Sequence, residues 1–152
     1  ATISVVAIPA FSGILHSQEL ASTSSRLIGA FMLARSEAIK RQAPVLIESI
    51  DANWSNGWNV YVDLNGNGSQ DEDEPVLLQA TDLPDALTIQ GNAPVRRYVR
   101  YTPDGSAKLK SGAFQAGTFS ICRADSEQQV RNLILSATGR LRRSRAAASN
   151  CP

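Results

Sequence analysis

Near its end the chain reads Gly139-Arg140-Leu141-Arg142-Arg143-Ser144-Arg145, four arginines with no acid between them. A guanidinium keeps its charge at any relevant pH and donates two parallel hydrogen bonds, the geometry that a phosphate accepts best. In an extended strand Arg140 and Arg142 project from one side, with Leu141, Arg143 and Arg145 on the other. Gly139 is suited to the positive φ of a turn just before them. A charged edge that discourages pairing with another sheet is the alternative, but four arginines without an acid exceed that need. Contact with a polyanion is the chemistry these residues favour.

A second group of residues could hold a hard cation. Asp63, Asn65, Asn67, Asp71 and Glu74 place oxygen side chains at positions 1, 3, 5, 9 and 12 of a loop with Gly68 at position 6, the order of an EF-hand loop. The flanks, however, read as strands, Gln70 stands where that loop carries an apolar residue, and Asn and Gly make ordinary hairpin turns. A hairpin without metal is therefore expected. Cys122 and Cys151 match no metal spacing. A cysteine beside the C-terminus is best explained by a disulfide, and this points to an extracytoplasmic compartment; a pair of free thiols is the alternative.

Catalysis has little to work with. The only histidine is His16, beside an apolar run, and neither a phosphate-binding Gly-Lys loop nor a dinucleotide fingerprint nor a nucleophile elbow is present. The expectation is a protein that is not an enzyme and carries no cofactor.

The elements that must position these groups follow from pattern. With 152 residues and 43% hydrophobic content, the chain is long enough to bury one ordinary core. Its net charge of +1 hides a segregation. Residues 1–95 carry four basic side chains against eleven acidic ones, a balance of −7, whereas residues 96–152 carry eleven against three, a balance of +8.

Residues 1–15, ATISVVAIPAFSGIL, are uncharged, too short to span a bilayer and too apolar for an exposed tail. They read as the C-terminal half of a membrane or filament helix whose first part is gone; a buried strand or core helix is the alternative. Pro9 and Gly13 are expected to kink it. From Gln18 to Arg41, Leu20, Ser24, Leu27, Phe31, Ala34 and Ala38 recur at helical spacing, and Pro44 ends the helix. The period then becomes two. Strands are predicted at Val45–Ile50, Trp58–Val62, Val76–Gln79, Leu87–Gln90, Val95–Tyr101, Thr118–Arg123, Arg131–Ser136 and Arg140–Arg145. The fold class is α+β, with one long amphipathic helix (residues 1–43) on an antiparallel β domain with a basic tail (residues 44–152).

Together the Ile-Pro-Ala-Phe segment, LIGAFMLARSEAIKRQAPV, GWNVYVDLNGNGSQDEDEPVL and LSATGRLRR before a terminal Cys resemble the minor pilins and pseudopilins of the GspH/FimT class, most of all the FimT type. The Gly-Phe-Thr-x-x-Glu start of that class is absent from the sequence. The resemblance implies a pilin-like fold, a helix held in the inner membrane or the filament, and a domain in the periplasm or on the extracellular pilus. It also implies a role for Gly139, Arg140 and Arg142, which match the Gly-Arg-x-Arg motif used for DNA, with Arg143 and Arg145 extending it. The expected function is non-specific capture of extracellular double-stranded DNA through its phosphates during natural transformation. Other pilins and the membrane are further expected partners. A structural subunit that primes or caps a type IV pilus is the alternative, with a type II secretion pseudopilin behind it.

Overall fold

The computed structural model describes residues 7–123 and 126–144, and for residues 7–10 and 126–129 the backbone alone. One helix, α1 (Ala7–Arg41), precedes eight strands. The helix runs unbroken through Pro9 and Gly13. At the other end Lys40 and Arg41 occupy the last turn, favourable to the helix dipole, and Gln42 takes a positive φ of 53° before Pro44.

The helix owes its place to the stripe read from the sequence. Leu20, Ser24, Leu27, Phe31, Ala34 and Ala38 are all buried, joined by Thr23 and Ala30. Ser24 satisfies its buried hydroxyl by donating to the Leu20 carbonyl at 2.7 Å. Among the described residues no helix is long and apolar enough to cross a membrane.

The strands form two antiparallel four-stranded sheets. In chain order they are β1 (Val45–Ser49), β2 (Trp58–Val62), β3 (Val76–Ala80), β4 (Leu87–Gly91), β5 (Tyr98–Tyr101), β6 (Gly117–Arg123), β7 (Ser126–Leu135) and β8 (Leu141–Arg143). One sheet has the order β3-β2-β1-β5, the other β4-β6-β7-β8. The predicted strand Val95–Tyr101 begins only at Tyr98, because Ala93–Val95 forms a 3₁₀ turn around Pro94. The last strand is three residues long, not six, within the described residues.

Phe31 joins the helix to both sheets. Its ring stands edge-on to Tyr101 of β5 (centroids 6.2 Å apart) and to Phe119 of β6 (5.3 Å), and Trp54 closes the cluster edge-on to Phe119 at 5.1 Å. The Trp54 indole N–H donates to the Val95 carbonyl at 3.0 Å, so its one polar atom is satisfied inside the core. Trp54 and Trp58 are both buried, as core residues rather than a stacking platform. A second tie is polar: Arg123 of β6 pairs with Glu19 of α1 at 2.5 Å.

Candidate functional site

The arginines sit where β7 turns into β8, the edge strand of its sheet. Ser136 N–H donates to the Arg140 carbonyl at 3.0 Å and Gly139 N–H to the Ser136 carbonyl at 2.9 Å. This leaves Ala137, Thr138 and Gly139 as a three-residue hairpin loop, and Gly139 supplies the φ of +91° that closes it. Beyond the loop Leu135 faces Leu141, Ile134 faces Arg142 and Leu133 faces Arg143. Leu133 and Leu135 are buried, so Leu141 and Arg143 share the face turned to the core, and Arg142 projects from the other, with Arg140 on its side by alternation.

The side chains differ accordingly. Arg143 donates from Nη2 to Ser25 Oγ on α1 at 2.9 Å. Arg140 and Arg142 are exposed, and among the described residues neither has an ion-pair partner. The helix cations are placed otherwise. Arg26 pairs with Asp82 at 2.7 Å, and Lys40 and Arg41 share Glu37, whose pKa is lowered chiefly by its hydrogen bond from Arg41. Arg145 and Cys151 lie outside the described residues. Cys122 is buried on β6, between Thr88 of β4 and Val130 of β7.

Three residues that the sequence did not single out support this turn. Tyr101 is buried, and its hydroxyl donates to the Gly139 carbonyl at 2.9 Å. Arg35 of α1 donates from Nε to the Gly105 carbonyl at 2.9 Å and from Nη2 to the Thr138 carbonyl at 3.3 Å. Gly105 itself packs on Gly139 so closely that a Cβ on Gly139 would overlap the Gly105 carbonyl oxygen. Asp104-Gly105 is a recognisable turn signal, but nothing local says that it abuts a turn more than thirty residues away. Met32, Arg35 and Arg140 border a recess of about 220 Å³ between α1 and this hairpin.

Further basic groups line the neighbouring edge. Ala107 N–H donates to the Ala137 carbonyl at 3.2 Å, bringing the segment after β5 against the arginine turn. Lys108 Nζ lies 5.5 Å from the centroid of the exposed Phe114 ring, and Lys110 Nζ lies 4.9 Å from that of Tyr98. Arg96 and Arg97 are exposed, while Arg100 is half-buried opposite Leu46.

The acidic hairpin is closed on itself. Asp63, fully buried, accepts from the N–H groups of Gly66 and Gly68, both at 2.8 Å. Glu74 accepts from Leu64 N–H at 2.7 Å and Asp71 N–H at 3.1 Å, and the amides of Asn65 and Asn67 both donate to Asp71. Among the described residues no group of three or more His, Cys, Asp and Glu side chains is arranged to hold a metal ion.

Residues 23–139, from within α1 through β7 to the loop at Gly139, match a family model, that of the type II transport protein GspH. The chain belongs to the GspH family. The match stops one residue short of Arg140. The chain is also similar to the type IV minor pilin FimU of Pseudomonas aeruginosa, with 23% identity over 89% of this chain and 96% of FimU and a TM-score of 0.72. It is similar to the minor pseudopilin EpsH of the Vibrio cholerae type 2 secretion system, with 17% identity over 83% of this chain and 96% of EpsH and a TM-score of 0.58. At such identities the likeness concerns the fold: a long N-terminal helix on antiparallel sheets. No curated protein matches the chain significantly.

Proposed function

We propose that this GspH-family protein is a minor type IV pilin that binds extracellular double-stranded DNA, without sequence preference, for uptake in natural transformation. The observation that carries this reading is the exposed pair Arg140 and Arg142, on one face of an edge strand, with no carboxylate partner among the described residues. Arginines with no counter-charge among the described residues are set to displace the cations condensed on a phosphate backbone. Arg143 and Arg145 extend the cluster, and Lys108 and Arg100 lie along the adjoining edge. Contacts to phosphate carry no sequence information, and among the described residues no helix is placed to enter a groove, so all duplexes are bound alike.

The domain sits in the periplasm and on the pilus, held through its N-terminal helix at the inner membrane. Other pilins are its remaining partners. The decisive experiment is duplex binding by the purified domain at two or more salt concentrations. Replacing Arg140 and Arg142 by Gln weakens binding to every duplex equally and flattens the slope of log affinity against log salt by about two units. Unchanged affinity and slope would overturn the reading.

A structural subunit that primes or caps the pilus is the second reading. It is favoured by Phe11, Ile14 and Leu15, large apolar side chains left exposed on α1.

A further inference from the structure

Gly139 is held from three directions. The Tyr101 hydroxyl reaches its carbonyl from the core at 2.9 Å, the Gly105 carbonyl lies against its α-carbon, and Arg35 fastens both turns to α1 through the carbonyls of Gly105 and Thr138. A Cβ on Gly105 would itself press on the Ile39 side chain, 2.9 Å away, so the two glycines and the helix approach one another as backbone against backbone and side chain. A hairpin loop on an edge strand is ordinarily among the loosest parts of a sheet, because one of its flanks has no neighbour. Here the loop is tied to a buried tyrosine and to the helix instead.

We propose that Tyr101, Arg35 and Gly105 form a bracket that fixes Gly139 and thereby sets the direction in which Arg140 and Arg142 leave the turn. The three act as positioning residues, and the consequence for binding rests on the DNA reading given above. Each arginine gains phosphate contacts at a smaller entropic cost when the strand that carries it is already held in place. The bracket also gives the glycine at the head of the arginine run a second role. It must turn the chain, and it must also leave room for the Gly105 carbonyl.

Two variants test this in the whole domain. Tyr101→Phe removes one hydroxyl and no charge. Arg35→Lys keeps the charge but loses the planar fork that reaches two carbonyls, and its half-exposed place on α1 keeps the core intact. Amide hydrogen exchange of the free protein is read at Ser136 and Gly139, whose N–H groups close the turn, with Phe119 and Leu133 as controls inside the sheet. In both variants the turn amides exchange roughly three- to tenfold faster, the equivalent of one net hydrogen bond, while the controls hold. Duplex affinity falls about threefold or more, with the salt slope unchanged because no phosphate-binding charge has been removed.

Turn amides that exchange at the wild-type rate would overturn the bracket. Faster exchange with wild-type DNA affinity would overturn its role in binding. If Arg35→Lys binds as wild type while Arg35→Gln flattens the salt slope by about one unit, Arg35 is a phosphate contact and its positioning role fails. Failure of the DNA reading shows elsewhere, as unchanged binding when Arg140 and Arg142 are both replaced by Gln, and the exchange rates still decide whether the bracket holds the turn.

Discussion

Glycines with positive φ are not equivalent in this chain, and Gly139 and Gly66 show the difference. Gly66, at φ +75°, has open space around its α-carbon, whereas a methyl group on Gly139, at φ +91°, would meet Tyr101 at 3.0 Å as well as the Gly105 carbonyl. Gly66→Ala therefore carries the conformational cost alone, and Gly139→Ala adds displacement of the bracket. Gly139→Ala is expected to cost about 1–3 kcal/mol and Gly66→Ala less, seen as a larger fall in urea midpoint at unchanged slope. Tyr101 yields a second prediction. Burial pushes its pKa well above the ordinary tyrosine value, a rise that nearby Arg35 only partly opposes, and burial acts in the same direction on Tyr61, reinforced by the charge of Glu48. Both phenols thus keep their protons in the folded state at a pH where the unfolded chain loses them. Stability from this source is complete below about pH 10, the ordinary value, and is lost as pH rises beyond it. Denaturation followed between pH 9 and 11 should show this fall, and Tyr101→Phe should show less of it than the wild type.

At the scale of elements, the acidic hairpin between β2 and β3 shows what a loop pattern can and cannot say. Its carboxylates already accept hydrogen bonds from the backbone amides of Leu64, Gly66, Gly68 and Asp71, so the loop closes with its charges internally engaged. Asp63→Ala strands two of those amides beside a buried site and is expected to cost about 1–3 kcal/mol in chemical denaturation. Millimolar calcium or EDTA is expected to move the melting temperature by no more than about two degrees, and a rise of several degrees with calcium would show a real cation site. The helix was the most legible element, because all six residues marked by its period are buried, with Thr23 and Ala30 beside them. The division into two sheets was not legible. It depends on β5 pairing with β1 and β6 pairing with β4, contacts that bridge long stretches of chain and leave no local trace. Much the same holds for the site. The arginine run and its glycine could be read directly, as could their alternation across β8, but Arg35, Tyr101 and Gly105 matter only because distant turns meet.

The whole molecule keeps its two exposed chemistries apart. Among the residues whose side chains are described, Leu20 is the first buried hydrophobic one of α1, and Phe11, Ile14 and Leu15 lie exposed on the helix ahead of it. The arginine edge lies instead on β8, joined to the helix further along, through Ser25 and Arg35. We further propose that Cys122, buried in β6, is joined to Cys151, which would tie the chain end to the same sheet and add roughly 3–4 kcal/mol through a closed loop of about thirty residues. Mass measurement after alkylation decides this, since two alkylated thiols in unreduced protein would exclude the bond. The separation of surfaces leads to a genetic expectation. If the apolar helix end serves assembly and the arginine edge serves DNA, replacing Arg140 and Arg142 by Gln in a competent host abolishes transformation while pili still assemble. Exposed charges contribute little to folding, so the variant protein should accumulate normally and the phenotype should not reflect instability. Loss of pili in the same strain would assign the arginines to contacts between pilins, and the structural-subunit reading would then replace DNA capture.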